Sequence, residues 1–221
     1  MAASYDSDMI NDLEFGDITL DEIGDEFKYD KVLAYIIIKN RGEALLDTHF
    51  KNDRDFVLEA VTLNGQALEF APVEFRNDPE IVKTAMINNR FEPSLPFLYA
   101  SNRLSMDKEF VIEAVNIDGL ALEFTSEDLK NDLDVVMAAV ANTGSALQFA
   151  SEDLQDDRDV VLAAVRNDGL ALDFASEDLQ DDTYVVNVAT RQCSSALIYG
   201  TDRVQQIIQT RQTNSINNDN V

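Results

Sequence analysis

Residues Asp132–Asp156 read DLDVVMAAVANTGSALQFASEDLQD, and residues Asp157–Asp181 read DRDVVLAAVRNDGLALDFASEDLQD. At a spacing of 25 residues, 19 of the 25 positions in these two stretches are identical. A repeat of this length is typical of architectures in which stacked neighbours bury the apolar face that one unit cannot bury alone. The sequence therefore predicts a stack of similar units, and not a globule with one central core.

Each unit opens with a helix signal. In the copy that starts at Asp157, four apolar residues form one stripe of a helix, and the aspartate before them is a typical N-cap. These four residues are Val160, Val161, Ala164 and Val165. Gly169 follows the stripe, and we expect it to end the helix in a left-handed C-cap conformation.

The second half of the unit predicts a short return helix over residues 170–175, followed by a turn that Ser176 caps and Leu179 anchors. One aromatic position recurs in the return helix, and we expect it to form layers of the core. It is occupied by Phe70, Phe124, Phe149 and Phe174.

The fold class that follows is all-α, a right-handed-type α-solenoid of about seven 25-residue helix–turn–helix repeats over residues 28–208. The units are expected to start near residues 28, 53, 78, 107, 132, 157 and 182. The unit from 78 to 106 carries four extra residues within Arg90–Leu95, which form either a tolerated loop or part of a binding face.

The two ends of the chain differ from the repeats. Residues 1–27 predict an acidic N-terminal arm, which is either frayed, packed as a helix over the first repeat, or a docking segment that folds on a partner. Val204, Ile207 and Ile208 predict a closing helix, and residues 209–221 predict a disordered tail.

The charge balance narrows the possible partners. The chain has 42 acidic and 17 basic residues, a net charge of −25, and residues 107–182 hold 20 of the acids and only 4 bases. Such a field disfavours binding to nucleic acid or to an anionic membrane. No apolar run of membrane-spanning length and no conventional signal peptide is present, so we expect an intracellular, cytoplasmic protein or one delivered to a host cell without such a signal.

Catalytic and metal-binding patterns are missing from the sequence. His49 and Cys193 are its only histidine and cysteine, and they fall in distant repeats, so neither a Cys–His nucleophile pair nor a zinc site is expected. Cys193 is predicted to fill a small slot in the core. The Asp-x-Asp pairs lack the third ligand and the glycine of a calcium loop, and their places before helices indicate capping. We expect no cofactor, no metal and no enzyme activity.

The repeat D-x-D-V-V-x-A-A-V-x-N-x-G-x-A-L-x-F-A-S-x-x-L, read from Asp132–Leu154 and Asp157–Leu179, resembles the repeat family catalogued as domain of unknown function 4116. The resemblance covers roughly residues 53–200, with departures at 78–106 and in both end units. It implies an interaction module of a kind found in amoeba-associated bacteria, large DNA viruses and single-celled algae. It brings no catalytic motif with it.

Three functional hypotheses remain, and the sequence alone selects no specific activity. The first is a non-enzymatic protein–protein interaction scaffold in which the acidic face of residues 107–182 binds a basic partner protein. The second is an acidic nucleic-acid mimic or chaperone for basic proteins, and the third is a structural subunit of a larger assembly. The candidate partner-binding residues are Glu127, Asp128, Glu152, Asp153, Asp156, Asp157, Glu177 and Asp178.

Overall fold

A computed structural model describes residues 7–15, 29–89 and 92–218 of the chain. Every regular element in these ranges is helical, and helix pairs pack in series, which confirms the predicted all-α solenoid. The chain divides into two compact units, Met1–Ser105 (unit 1) and Met106–Val221 (unit 2).

Unit 1 contains α-helices (α) and short 3₁₀-helices (η). In chain order they are α1 (Ser7–Phe15), α2 (Lys31–Ile38), η1 (Gly42–Asp47), α3 (Arg54–Leu63), η2 (Gly65–Phe70), η3 (Phe75–Asn77), α4 (Pro79–Asn88), α5 (Leu95–Leu98) and α6 (Asn102–Ser105).

Unit 2 repeats a fixed order of a long α-helix, a 3₁₀-helix and a four-residue α-helix. Its elements are α7 (Lys108–Ile117), η4 (Gly119–Phe124), α8 (Glu127–Lys130), α9 (Leu133–Asn142), η5 (Gly144–Phe149), α10 (Glu152–Gln155), α11 (Arg158–Asn167), η6 (Gly169–Phe174), α12 (Glu177–Gln180), α13 (Thr183–Gln192), η7 (Ser194–Tyr199) and α14 (Asp202–Asn218).

The long helices begin where the aspartates predict. Each N-cap carboxylate accepts hydrogen bonds from backbone N–H groups two or three residues further along the chain, which satisfies donors that the helix leaves free. The capping residues are Asp30, Asp53, Asp78, Asp107, Asp132, Asp157 and Asp182. The first cap is therefore Asp30, two residues after the expected start of the first unit.

The return helix is a 3₁₀-helix and not an α-helix. In η5 the buried residues are Gly144, Ala146 and Leu147. With three residues per turn, positions i and i+3 lie on one face, so Gly144 and Leu147 point to the same side. A run of six residues is too short for hydrophobic spacing alone to separate the two helix types.

The glycine that follows most of the long helices acts by close approach, which corrects the predicted left-handed C-cap. Asp168, the residue that leaves α11, has extended backbone at φ −139°, and Gly169 does not adopt a positive φ. A Cβ on Gly169 would instead lie 2.5 Å from the carbonyl oxygen of Ala189 in the next repeat. The glycine is required because it allows two backbones to touch.

The same close approach between two backbones recurs at three other glycines. A Cβ would lie 2.2 Å from the Ala85 oxygen at Gly65, 2.4 Å from the Ala139 oxygen at Gly119, and 2.6 Å from the Ala164 oxygen at Gly144. In the last repeat the equivalent position is Ser194, which is exposed. A side chain is tolerated there because α14 follows η7 in place of another glycine-led repeat.

Side-chain amides in unit 2 link each repeat to the previous one. Asn167 Oδ1 accepts from the Gly144 N–H at 2.8 Å, and its Nδ2 donates to the Ala141 carbonyl at 2.9 Å. Asn142 makes the equivalent bonds to Gly119 and Asn116. This amide ladder satisfies backbone groups that the helix ends leave unpaired.

The aromatic slots lie at the rim of the core, so the prediction that they form core layers is wrong in part. Phe70, Phe124, Phe149 and Phe174 are half-buried. The fully buried positions are the valines and alanines of the long helices and the Ala-Leu pair of each 3₁₀-helix, as in Val160, Val161, Ala164, Val165, Ala171 and Leu172.

Both chain ends contain helices. Within the predicted acidic arm, Ser7–Phe15 forms α1, which contacts α2, and the remaining residues of 1–27 lie outside the described residues. At the other end, α14 runs to Asn218 and so covers most of the predicted disordered tail. Residues 201–218 contain neither glycine nor proline, so no residue there interrupts a helix.

Candidate interaction surface

Six of the eight predicted site residues share one structural position. Each of the short helices α8, α10 and α12 begins with a Glu-Asp pair, and all six side chains are exposed. We call these residues the acidic edge; they are Glu127, Asp128, Glu152, Asp153, Glu177 and Asp178.

The local sequence turns these acids outward. In α12, Ser176 Oγ accepts from the Leu179 N–H at 3.3 Å and so caps the helix, while Leu179 is buried. With the cap and the leucine fixed against the protein, the two residues between them, Glu177 and Asp178, face solvent. The same order of cap, two acids and leucine occurs at α8 and α10.

Hydrogen bonds hold neighbouring short helices together. The Ser151 N–H donates to the Lys130 carbonyl at 2.9 Å, and the Ser176 N–H donates to the Gln155 carbonyl at 3.0 Å. The start of α10 is thereby tied to the end of α8, and α12 is tied to α10 in the same way. The three Glu-Asp pairs thus form a continuous row along unit 2.

The other two predicted site residues have structural roles. Asp156 accepts a short hydrogen bond from Ser176 Oγ, which adds to the link between α10 and α12. Asp157 caps α11, with its carboxylate accepting from the Asp159 N–H at 2.9 Å and the Val160 N–H at 3.1 Å. Both residues therefore stabilise the contact between repeats, and their contribution to the surface charge is secondary.

Basic residues in unit 2 pair mainly with acids outside the acidic edge. Lys108 Nζ lies 2.9 Å from an Asp132 carboxylate oxygen and 2.8 Å from Asp134 Oδ2. This hydrogen bond from Lys108 is the main reason that the pKa of Asp132 is lowered. Arg158 bonds Asp182 at 3.3 Å and lies over the Tyr184 ring at 5.0 Å.

Within the acidic edge only Glu127 has a cationic partner among the described residues, since Lys130 Nζ lies 2.8 Å from its Oε1. The other five carboxylates of the edge remain open to solvent. At the junction that follows α9, the position of Lys108 and Arg158 is taken by Leu133, which is half exposed. The surface around α10 is thus the least neutralised part of the row.

These cations between repeats were missed by sequence reasoning, which considered only the capping acids. The signal was present, because Lys31, Arg54, Lys108 and Arg158 each follow a capping aspartate directly. Each reaches the cap of the next repeat, Lys31 to Asp53 at 2.9 Å and Arg54 to Asp78 at 2.7 Å. Their partners lie too far along the chain for a local pattern to reveal them.

The single histidine and cysteine have ordinary environments. His49 in unit 1 stacks on Tyr29 with ring centroids 4.3 Å apart. Cys193 in unit 2 is half-buried and occupies the N-cap position of η7, so the predicted core slot is wrong. Its Sγ lies 2.9 Å from Ser195 Oγ, and hydrogen bonding with Ser195 lowers its pKa.

Metal-ligand clusters and membrane-spanning helices are considered for the described residues alone. Residues 7–15, 29–89 and 92–218 contain no cluster of three or more His, Cys, Asp or Glu side chains arranged to hold a metal ion. In the same ranges, no helix combines the length and apolarity that crossing a membrane requires.

Comparison with protein families gives one result. The family model described as "Domain of unknown function (DUF4116)" matches residues 36–76, 53–105, 78–130, 107–155, 132–180 and 157–203. The matches extend over most of the chain, which therefore belongs to this family. Five of them begin at a capping aspartate and span two consecutive repeats, which agrees with a unit that needs a neighbour. Searches of curated proteins and of solved structures found no match.

Proposed function

We propose that this protein is a non-enzymatic protein–protein interaction scaffold whose acidic edge binds a basic surface on a partner protein. The observation that supports it is the row of exposed Glu-Asp pairs on α8, α10 and α12, in which Glu127 alone has a cationic partner among the residues that the structure describes. Packed helices lie about 8–10 Å apart, so the pairs present carboxylates at a regular interval. A periodic row of this kind matches a partner that carries basic residues at a similar interval.

The repeat interface makes this surface rigid. The hydrogen bonds between short helices fix the backbone at the start of α10 and α12, and both helices also have a serine cap. A preformed surface loses little conformational freedom on binding, which favours affinity. Charge complementarity would also speed the encounter with the partner and make it sensitive to salt.

The test compares two variants with equal charge change. In the edge variant Glu152, Asp153, Glu177 and Asp178 are replaced by their amides; in the control variant Glu109, Glu123, Asp159 and Asp173 are replaced in the same way. All eight side chains are exposed. Both variants and the unchanged protein serve as baits in affinity purification from the native source, followed by mass spectrometry and by titration of the purified partner.

We expect the edge variant to bind the partner at least about tenfold more weakly, a loss of about 1.4 kcal/mol, and the control variant to bind normally. Equal affinity of both variants would contradict the assignment of the acidic edge. Equal loss for both, with many basic proteins released together by salt, would favour the nucleic-acid mimic or chaperone. A partner retained by both variants at high salt would favour the structural subunit.

A further inference from the structure

Unit 1 contains a cleft where the repeat pattern is interrupted. The repeat that begins at Asp78 has no glycine-led 3₁₀-helix; the α-helical turn α5 stands in that place and packs against η2. Pro96 lies in the first turn of α5, where proline is compatible with a helix. Two cavities of unit 1 share lining residues, and α5 lines one of them.

The first cavity has aromatic walls and a negative rim. It has a volume of about 150 Å³, and its walls include Phe70, Tyr99 and Pro96. The carboxylates of Glu43 and Glu69 lie at the same cavity. Burial, and then the hydrogen bond and charge of Glu69, raise the pKa of Tyr99, so its hydroxyl is the proton donor to a charged Glu69.

This combination suits a positively charged side chain. A cation over an aromatic face is attracted by the ring, and the attraction increases when the cation is desolvated. The partner of Glu69 is the neutral Tyr99 hydroxyl, whereas Glu43 already bonds Arg41 at 3.1 Å. A cavity of about 150 Å³ holds a molecule of the size of benzene, which is similar in size to a guanidinium group with its last methylene.

The second cavity shares Gln66 and Asn89 with the first and has a volume of about 370 Å³. Carboxamides dominate its lining, and the one charged group there is Lys39. The five carboxamides belong to Asn40, Asn64, Gln66, Asn88 and Asn89. In this region Leu63 takes the place that Asn142 and Asn167 occupy in unit 2, and the neighbouring Asn64 makes the bond to the repeat before it.

The carboxamides of this cavity differ in their links to neighbouring repeats, since Asn64 Nδ2 donates to the Ile38 carbonyl of the repeat before it at 3.0 Å. Asn88 Nδ2 donates to the Thr84 carbonyl of its own helix at 2.8 Å, whereas its counterpart Asn167 bonds the repeat before it. Each carboxamide offers both donors and an acceptor. A peptide main chain presents the same two kinds of group in alternation.

We propose that this cleft binds an extended peptide segment of another protein, with an arginine or lysine side chain in the aromatic cavity and the adjoining main chain across the carboxamides. Lys39 at the far end disfavours a ligand with a second cation there, such as a polyamine. The site lies within residues 39–89 and 95–99 and shares no residue with the acidic edge, so either proposal can fail alone.

The experiment uses the full chain and a fluorescent, end-capped pentapeptide, Gly-Ser-Arg-Ser-Gly, with a citrulline peptide as its uncharged counterpart and free arginine as a competitor. We expect the arginine peptide to bind with a Kd under about 1 mM and the citrulline peptide at least about tenfold more weakly. Glu69→Gln should weaken the arginine peptide by a similar factor. Glu59→Gln, which removes one exposed charge outside the cleft, should leave the Kd unchanged.

The main-chain contact has its own control. Asn40 is exposed, so Asn40→Ala keeps the fold, and it should weaken the peptide without changing the inhibition by free arginine. Failure of the full chain to bind the arginine peptide would overturn the proposal, as would equal binding of the citrulline peptide. Equal affinity for free arginine and for the peptide would overturn the peptide assignment and indicate a small-molecule site.

Discussion

The repeats of unit 2 and the repeat from Asp78 to Ser105 in unit 1 use similar sequences to opposite effect. In unit 2 a glycine touches the next repeat, an amide bonds the previous one, and successive 3₁₀-helices pack on each other without a gap. In unit 1 the glycine is missing from the Asp78 repeat, Asn88 bonds within its own helix, and a cavity of about 370 Å³ opens beside it. Where the repeat sequence is regular, neighbouring repeats pack closely. Where the sequence departs from the pattern, a cavity remains in which another molecule can bind.

The largest effect should come from adding one methyl group at the glycine contact. Gly144→Ala places a Cβ 2.6 Å from the Ala164 oxygen, which forces two backbones apart. We expect a loss of about 3 kcal/mol in the free energy of unfolding, measured by urea denaturation followed by circular dichroism. The control is Ser194→Ala at the equivalent position of the last repeat, which should change stability by less than about 0.5 kcal/mol. Similar losses in both variants would show that the contact does not set the requirement for glycine.

The amide ladder should have the next largest effect. Asn167→Ala removes the partners of the Gly144 N–H and the Ala141 carbonyl, and we expect a loss of about 1–2 kcal/mol in the same denaturation experiment. Asn88→Ala in unit 1 removes a bond within one helix, so its loss should be under about 0.5 kcal/mol. If Asn88→Ala proves the more damaging, the two regions do not differ in the way described above.

The ion pairs between repeats predict that the stability of both units decreases at acid pH. Because Lys108 lowers the pKa of Asp132 in the folded state, the pair stabilises the fold above the ordinary aspartate pKa of about 3.9, and this contribution is lost as the pH falls through the lowered value. The stability difference between the unchanged protein and Lys108→Met should therefore be present at pH 6 and shrink below about pH 4.

Arg166 provides the control for this acid effect, since it is exposed and forms no ion pair within the described residues. Arg166→Met should show a stability difference that stays nearly constant over the same pH range. Denaturation midpoints measured from pH 6 to pH 2.5 would show whether the two variants differ in this way. A pH-independent difference for Lys108→Met would mean that the ion pair contributes nothing in solution.

The smallest effect is expected between α9 and α11. Among the long helices α7, α9, α11 and α13, this is the one junction that lacks a bridging cation. Leu133→Lys places an ammonium group where Lys108 and Arg158 stand in neighbouring repeats, within reach of the Asp157 cap. Surface pairs of this kind are worth about 0.2–1 kcal/mol, and we expect a gain in that range that disappears in 1 M salt. Leu133→Gln, which removes the exposed apolar side chain without adding charge, should not reproduce the salt-sensitive gain.

Local chemistry explains why much of the fold was predictable. An aspartate cap and the apolar stripe after it act within a few residues, so Asp157 and Val160 identified a helix, and the 25-residue step identified the stack. The Glu-Asp pairs were placed correctly on the surface for the same reason, because a serine cap and a leucine anchor flank them. These signals depend on neighbours along the chain.

The errors arose where a residue's partner lies in another repeat. Gly169 was interpreted as a helix terminator because its contact with the Ala189 carbonyl, 20 residues away, leaves no local trace. Asn167 carried no predicted role for the same reason. Phe149 was expected in the core because it recurs, although recurrence marks an equivalent position and does not measure burial. The cleft in unit 1 depends on how α5 meets η2, which no spacing pattern describes.

The serine at position 194 affects how such a protein can gain repeats by duplication of its gene. In-frame duplication of residues 132–156 would insert a unit whose glycine, amide and caps already fit both neighbours, so the longer chain would fold at once. The near identity of two adjacent units is what a recent event of this kind leaves behind. Duplication of the last unit would instead place a serine against a following backbone. Duplication of residues 132–156 therefore preserves the contacts between repeats, whereas duplication of the repeat that contains Ser194 does not.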